Sequence, residues 1–281
     1  MENLIQYGDI ALFLGQKGKE WLREINPGKQ LDTHQGRVEF DKIVGKPYGS
    51  KIPVFRGHIL VMQPRPPQFV RTMTHATNII YEGDAVAMIS AAGVGPGDVA
   101  LEVGTGSGGL TYYLAYYLTR NTTTGRVVTV DVREDHTTRA KKNLEWVGLD
   151  KFVEFRTGDI GSGELTLEDS AFDAAFVDMP NPWEVLAQLK PAVKHGKSIL
   201  VFLPNWYQVE RTVAVAEELG LTVLDVTERF DRPMTVNPAK HIMRPVTRAI
   251  IYSGMIIHLL RTKKLEVESE PATEETTSHQ V

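Results

Sequence analysis

Apolar positions along the chain change their period near residue 75. Before that point they come in short β-type runs, IALFL (10–14), RVEF (37–40) and HILVM (58–62), broken by Gly, Pro and Lys. Such runs predict a small β-rich module, with GQKGKEWLREI (15–25) standing apart from the pattern. QPRPPQ (63–68) carries three prolines in six residues, which argues against helix or central strand and predicts a stiff connector. DAVAMISAAG (84–93) then has apolar and small residues at helical spacing and stops at a glycine. Beyond it strand-like and helix-like segments alternate. Strands are expected at 99–103, 127–130, 152–155, 173–177, 198–203 and 221–226, with helices at 110–118, 135–147, 183–189 and 208–219. A βαβαβ order of this kind predicts a doubly wound, largely parallel sheet. AIIYSG and MIIHLLR (249–261) predict a closing antiparallel strand or hairpin on that sheet.

Three segments follow: a β-rich module over 1–75, an α/β domain over 76–265 and an acidic Thr/Ser-rich tail over 266–281, expected to be disordered. At 281 residues the chain is long enough to bury a full core. It has no cysteine, so disulfides and thiolate zinc are excluded. No His/Asp/Glu spacing resembles a metal site, and no apolar run reaches the length of a membrane span. The first residues lack a basic, cleavable leader pattern, so a cytoplasmic location is expected. A net charge of −4 speaks against a nucleic-acid partner until its distribution is considered. Five glutamates and no Lys or Arg follow Leu265, so the chain without its tail carries +1. Residues 1–78 hold eleven Lys or Arg against seven Asp or Glu, which keeps an RNA-backbone role open for Lys17, Lys19, Arg23, Arg37, Lys42 and Lys46.

The chemistry gathers around VALEVGTGSGGL (99–110), a buried strand entering a glycine-rich turn and then a helix. Gly104-x-Gly106-x-x-Gly109 satisfies the dinucleotide fingerprint, so a nicotinamide or flavin enzyme is the first reading to test. Acidic residues redirect it. Glu102 precedes the turn, Asp131 ends the next strand, Asp159 follows the third and Asp178 the fourth. In a doubly wound sheet these positions face one crevice at the carboxyl ends of the strands. Carboxylates there disfavour a pyrophosphate and suit S-adenosylmethionine, which is cationic and carries no phosphate. Asp131 is placed to accept the hydroxyl hydrogens of a ribose and Asp159 those of an adenine amine, with Ile160 and Phe155 as apolar walls. DMPNPW (178–183) is the most specific stretch. Its prolines fix φ and remove donors, so a stiff loop presents Asp178, Asn181 and Trp183 to the crevice.

Taken together, ALEVGTGSGGLT (100–111), VDVREDH (130–136), GDI (158–160) and DMPNPW resemble the tRNA (adenine-N1)-methyltransferase family, which acts on the T-loop adenine at tRNA position 58. ATNIIYEGDAVAMI (76–89), MRPVTRAIIYSGMIIHLLR (243–261), YGDIALFL (7–14) and DTHQGRVEFDKIVGKPYGS (32–50) extend the resemblance over residues 5–264. Asn78 stands where that family usually has glutamine, Glu82-Gly83 where it has proline-lysine, and Tyr252-Ser253 where it has histidine-threonine.

The resemblance implies a Rossmann-like class I methyltransferase sheet behind a small N-terminal β-rich domain that contacts tRNA. It implies a cytoplasmic homotetramer, a dimer of dimers, that methylates adenine 58, and it leaves open whether the adjacent purine at 57 is methylated too. The implied methyl-donor set is Glu102, Gly104, Thr105, Gly106, Ser107, Gly108, Asp131, Val132, Asp159 and Ile160. Asp178 becomes the carboxylate beside the exocyclic amine of the target base and Tyr81 a ring on which the base stacks, with Asn181, Trp183 and Arg244 as RNA contacts. The competing readings are a methyltransferase for a small molecule or protein isoaspartate, and a noncatalytic RNA-binding subunit on the same fold. DMPNPW weighs against the first, since a carboxyl-methylating enzyme has no use for that carboxylate. An intact glycine turn weighs against the second.

Overall fold

The computed structural model of the chain describes residues 3–75, 79–249 and 252–263. Asn78, two residues of the closing AIIYSG segment and the acidic tail lie outside the described residues, as does the side chain of Lys17.

The N-terminal third is a four-stranded antiparallel sheet made by β1 (Ile10–Leu14), β2 (Glu20–Glu24), β5 (Lys51–Val54) and β6 (Gly57–Met62), in the order β2-β1-β6-β5. A hairpin of β3 (Gln30–Thr33) and β4 (Gly36–Glu39) packs beside it. Alternation sends Ala11, Phe13, Ile59 and Val61 into a core shared with Ile5, Ile25, Phe40 and Ile43. The segment GQKGKEWLREI, which broke the apolar pattern, contains β2. Its Leu22 alone is buried, and the strand pairs along its whole length with β1. Edge strands need only one buried residue when a neighbour supplies the ladder.

QPRPPQ is corrected more sharply. Helix α1 (Pro66–Thr72) begins inside it, with two prolines in its first turn. Those positions have no intrahelical partner for an N–H, so proline costs nothing there. Gln68 closes the start by accepting the Arg65 N–H at 2.9 Å. Arg71 reaches Glu20 at 3.1 Å, tying α1 to β2.

Helix α2 (Glu82–Ala92) ends at Gly93 in the left-handed conformation. Then come β7 (Val99–Val103), α3 (Gly109–Leu118), β8 (Arg126–Asp131), α4 (Glu134–Glu145), β9 (Val153–Thr157) and β10 (Phe172–Val177). The chain continues through α5 (Leu186–Ala192), β11 (Val193–Leu203), α6 (Trp206–Glu218) and β12 (Thr222–Glu228). A hairpin of β13 (Met234–Asn237) and β14 (Ile242–Pro245) leads to β15 (Met255–Leu260). The main sheet has the order β12-β15-β11-β10-β7-β8-β9. Strands β7 to β11 run parallel, and β15 inserts antiparallel between β11 and β12. Of the two expected forms of the closing segment, the antiparallel strand is present as β15, and residues 252–254 form no strand. The β13–β14 hairpin lies in a stretch where no element had been expected.

Every side chain of β10 is buried, and neighbouring residues of β7 serve opposite faces. Leu101 and Val103 join one core cluster and Ala100 the other. From β7 the chain moves outward through β8 and β9, then crosses to β10 on the other side. That reversal opens a crevice at the carboxyl ends of β7 and β10. Among the described residues no helix is long and apolar enough to cross a membrane.

Candidate active site

The register of the central strands brings the turn and the acidic residues to one level. Val103 lies beside Val177 of β10 and Val130 of β8, so Gly104 and Asp178, just past their strands, stand level with Asp131, the last residue of β8. Gly104 has φ +97°, and a Cβ there would stand 2.0 Å from the Asp178 carbonyl oxygen. The turn and the Asp178 loop pack backbone against backbone, which only glycine permits. The Gly104 N–H donates to Val130 O at 2.8 Å and the Asp178 N–H to Val103 O at 2.9 Å. At Gly108, with φ +84°, a Cβ would stand 3.0 Å from Ala140, so the missing side chain lets α3 and α4 approach.

A small pocket lies in this crevice, lined by Ile79, Ile80, Glu102, Gly104 to Ser107, Gly109, Leu110 and Asp178. Glu102 is fully buried. Its Oε2 accepts from the Thr111 and Thr129 hydroxyls, both at 2.6 Å, and Thr129 in turn meets Thr105 at 2.7 Å. Its Oε1 has no partner among the described residues. Burial pushes the Glu102 carboxyl up to about 8, so it holds a proton at neutral pH. Loss of solvent around the Asp178 carboxyl pushes it up to about 7. Two carboxyls thus line one pocket with no described cation among its lining residues.

Asp131 is buried and already engaged. Its Oδ2 accepts from the Gly106 N–H at 3.0 Å and meets His136 Nδ1 at 3.1 Å, while Oδ1 accepts from the Arg133 N–H at 3.0 Å. The carboxylate thereby fixes the glycine turn and keeps acceptor capacity on Oδ1. Val132, next to it, is 64% exposed. Asp159 is half-buried, and its Oδ1 accepts from the Gly161 N–H at 2.8 Å, closing its own loop. Ile160 is buried in the core under the sheet. Neither lines the pocket.

Tyr81 caps α2 directly after Ile79 and Ile80 and is 47% exposed. Asn181 is exposed at the start of the short turn Pro182–Glu184. Trp183 is half-buried, with the Arg211 guanidinium 4.2 Å from its ring centre. Arg244 lies on the β13–β14 hairpin, its guanidinium held by Thr247 at 3.1 Å and by Pro245 O. In the N-terminal module Arg37 pairs with Asp32 and Lys42 with Glu39, so those two charges are balanced locally before any RNA arrives.

Two of the departures from the expected pattern meet in space. A Cβ at Gly83 would stand 2.9 Å from Asp231 and 3.0 Å from Arg229. Asp84, buried beside them, lies 3.9 Å from Arg229; burial raises its carboxyl, and Ser253 and Arg229 act the other way. Gly83 and Ser253 thus both lie against the Asp84–Arg229–Asp231 cluster at the start of α2.

Sequence reasoning missed Thr111, Thr129, His136, Gln208 and Arg211. A signal existed for the threonines: each is the polar member of an otherwise apolar run, GLTYYLAYYL and VVTV, and a buried hydroxyl requires a partner.

The family model described as tRNA methyltransferase complex GCD14 subunit matches residues 57–279, and one described as TrmI-like N-terminal matches residues 4–52. The chain is 30% identical over 254 residues to the tRNA (adenine(58)-N(1))-methyltransferase TrmI of Thermus thermophilus, covering 90% of this chain and 96% of that one. Against the Methanocaldococcus jannaschii TrmI, named for adenines 57 and 58, identity is 28% over 270 residues, with 87% and 92% covered. The crystal structure of the Aquifex aeolicus tRNA (m1A58) methyltransferase TrmI superposes with a TM-score of 0.77 at 25% identity, over 93% of this chain and 100% of that one.

Proposed function

The chain belongs to the family of the tRNA methyltransferase complex GCD14 subunit, and on that premise we propose that it transfers a methyl group from S-adenosylmethionine to N1 of the T-loop adenine at position 58 of tRNA. The observation that carries the reading is the placement of Asp178. A desolvated carboxyl sits on a proline-stiffened loop, in backbone contact with the glycine turn, at the mouth of a pocket without cations among its described lining.

The pocket offers the methyl donor hydrogen-bond acceptors and open glycine backbone. Glu102 offers a buried oxygen without a partner among the described residues, Asp131 keeps acceptor capacity on Oδ1, and Gly104 and Gly106 line the pocket with backbone alone. A diphosphate would meet carboxyls here. When bound, S-adenosylmethionine supplies an electrophilic methyl carbon on a positive sulfur. Glu102, the turn from Gly104 to Gly108, Asp131 and Val132 would hold it, with Asp159 and Ile160 at the far edge.

Adenine N1 is a sufficient in-plane nucleophile, so the protein's task is alignment and charge stabilisation. Attack leaves a positive purine ring. The Asp178 carboxylate, placed beside the exocyclic amine, stabilises that charge and accepts from the amine. Tyr81 is exposed and adjacent to the pocket wall, in a position to stack on an extruded base. The target base must leave the folded tRNA core, and Asn181, Trp183, Arg244 and the N-terminal module are the candidate RNA contacts.

The same reading includes a division into a tRNA-contacting module (1–75) and a catalytic domain (76–265), a cytoplasmic location and a homotetramer. Exposed Val236 and Met243 on the β13–β14 hairpin support association between copies. The test is incubation of the protein with labelled S-adenosylmethionine and an unmodified tRNA transcript, followed by nucleoside analysis. 1-Methyladenine at position 58 is expected, with position 57 resolved in the same digest. Labelled tRNA without 1-methyladenine would overturn the proposal.

A further inference from the structure

The Asp178 carboxyl has no hydrogen-bond partner among the described residues, and desolvation is what acts on it. Its direction is therefore set by the backbone that carries it. The near end of that loop is fixed to the sheet, through the Asp178 N–H on Val103 O and the Asp178 carbonyl against Gly104. Its far end cannot fix itself. Pro180 and Pro182 remove two donors, and the loop's own hydrogen bonds begin only at Glu184.

Helix α6 supplies the missing anchors. Gln208 Nε2 donates to Pro180 O at 2.7 Å. Gln208 is itself pinned, its N–H on Asn205 Oδ1 at 3.0 Å and its carbonyl accepting from Thr212 Oγ1 at 2.6 Å. One turn on, Arg211 lies over the Trp183 ring at 4.2 Å. Gln208 Oε1 and Trp183 Nε1 are both buried without partners among the described residues. Such groups carry a desolvation cost that a contact serving stability alone would avoid.

We propose that Gln208 and Arg211 are positioning residues that aim the Asp178 carboxylate at the acceptor base by anchoring the loop from Asp178 to Trp183 to α6. The role rests on the function given to Asp178 above. Gln208 acts as a donor to a carbonyl, so an acidic residue of similar size does not replace it. Arg211 acts through its flat cation on an aromatic face, so lysine replaces it only in part.

The experiment is a double-mutant cycle on the full chain with tRNA transcript. Gln208→Ala is expected to lower kcat about tenfold, since small misplacements of a reacting group have effects of that size or larger. Its dissociation constant for S-adenosylmethionine should stay within about twofold of the unsubstituted chain's, because Gln208 lies outside the donor pocket. Loosening the loop admits water to Asp178, so the acid limb of the kcat–pH profile moves to lower pH. Gln208→Glu should be no better than Gln208→Ala, and Arg211→Lys should retain more activity than Arg211→Ala. In an Asp178→Asn background Gln208→Ala should change kcat less than about twofold, because the group it positions is gone. Equal losses in both backgrounds, or an unmoved acid limb, would overturn the positioning role and leave the methyltransferase reading standing. A wild-type chain that transfers no methyl group to tRNA would overturn both.

Discussion

At the scale of single residues, the site contains two desolvated carboxyls with different work. Glu102, raised to about 8, is neutral at pH 7 and locked by two threonine hydroxyls. Asp178 is raised to about 7 and has no such lock. Its catalytic form is the carboxylate, because only that form can accept from the base amine and offset the ring's positive charge. A carboxyl raised by burial gains its charge later than usual as pH increases. Turnover should therefore rise through about pH 7, with the protonated, inactive form dominant below it. Asp178→Ala should lose most transfer, by about 10²-fold or more, as expected for a group that meets developing charge, and should lose this limb while still binding the donor. A pH series of single-turnover rates, with donor affinity by calorimetry, checks both statements. Glu102, Asp131 and Asp178 could be read from the sequence because each lies at or near a strand end, and strand ends in a doubly wound sheet share one edge. Their partners could not. Nothing in the spacing of Thr111, Thr129, Gln208 or Arg211 says which neighbour they meet; that depends on helix packing angles and loop paths.

At the scale of elements, what was legible follows from how each element is buried. Strands β7, β8 and β10 lie in the middle of the sheet and are largely apolar, so composition alone marked them. Strand β2 and the hairpin β13–β14 show one face or both to solvent, and their apolar content falls below what a pattern reveals. Helix α1 was hidden by its own prolines, which mean connector in mid-segment and helix start at its first turn. The insertion of β15 between β11 and β12 is a property of pairing, which local sequence does not encode. The glycine turn shows how far an element's role can be quantified. Gly93 is left-handed, with nothing within 4 Å of the place a Cβ would occupy. Alanine there carries only conformational strain, about 1 kcal/mol. At Gly104 the strain is joined by a contact of 2.0 Å with the backbone of the Asp178 loop, which cannot swing away as a flexible side chain would. Gly104→Ala should destabilise the protein by about 2–4 kcal/mol, the sum of left-handed strain and overpacking. Denaturant unfolding of the two variants side by side checks the difference, and equal losses would show that the turn and the loop are not in contact.

At the scale of the whole molecule, the tail sets the sign of the net charge, and that sign opposes the proposed substrate. The chain carries −4 in total, yet the five glutamates after Leu265 account for that sign, and the rest carries +1. A polyanion approaching the crevice meets the field of both parts. The tail's contribution acts through space, so salt must weaken it: charges separated by more than about 10 Å are largely screened at about 0.1 M ionic strength. Deleting the chain after Leu265 should therefore leave kcat unchanged, since no candidate site residue lies there. It should tighten tRNA binding at about 20 mM salt and make little difference above about 0.2 M, where screening confines each charge to its immediate neighbours. Binding isotherms of the full and shortened chains across a salt series test this. If the shortened chain instead loses turnover at every salt concentration, the tail takes part in substrate binding or catalysis directly, and its charge is not what matters about it.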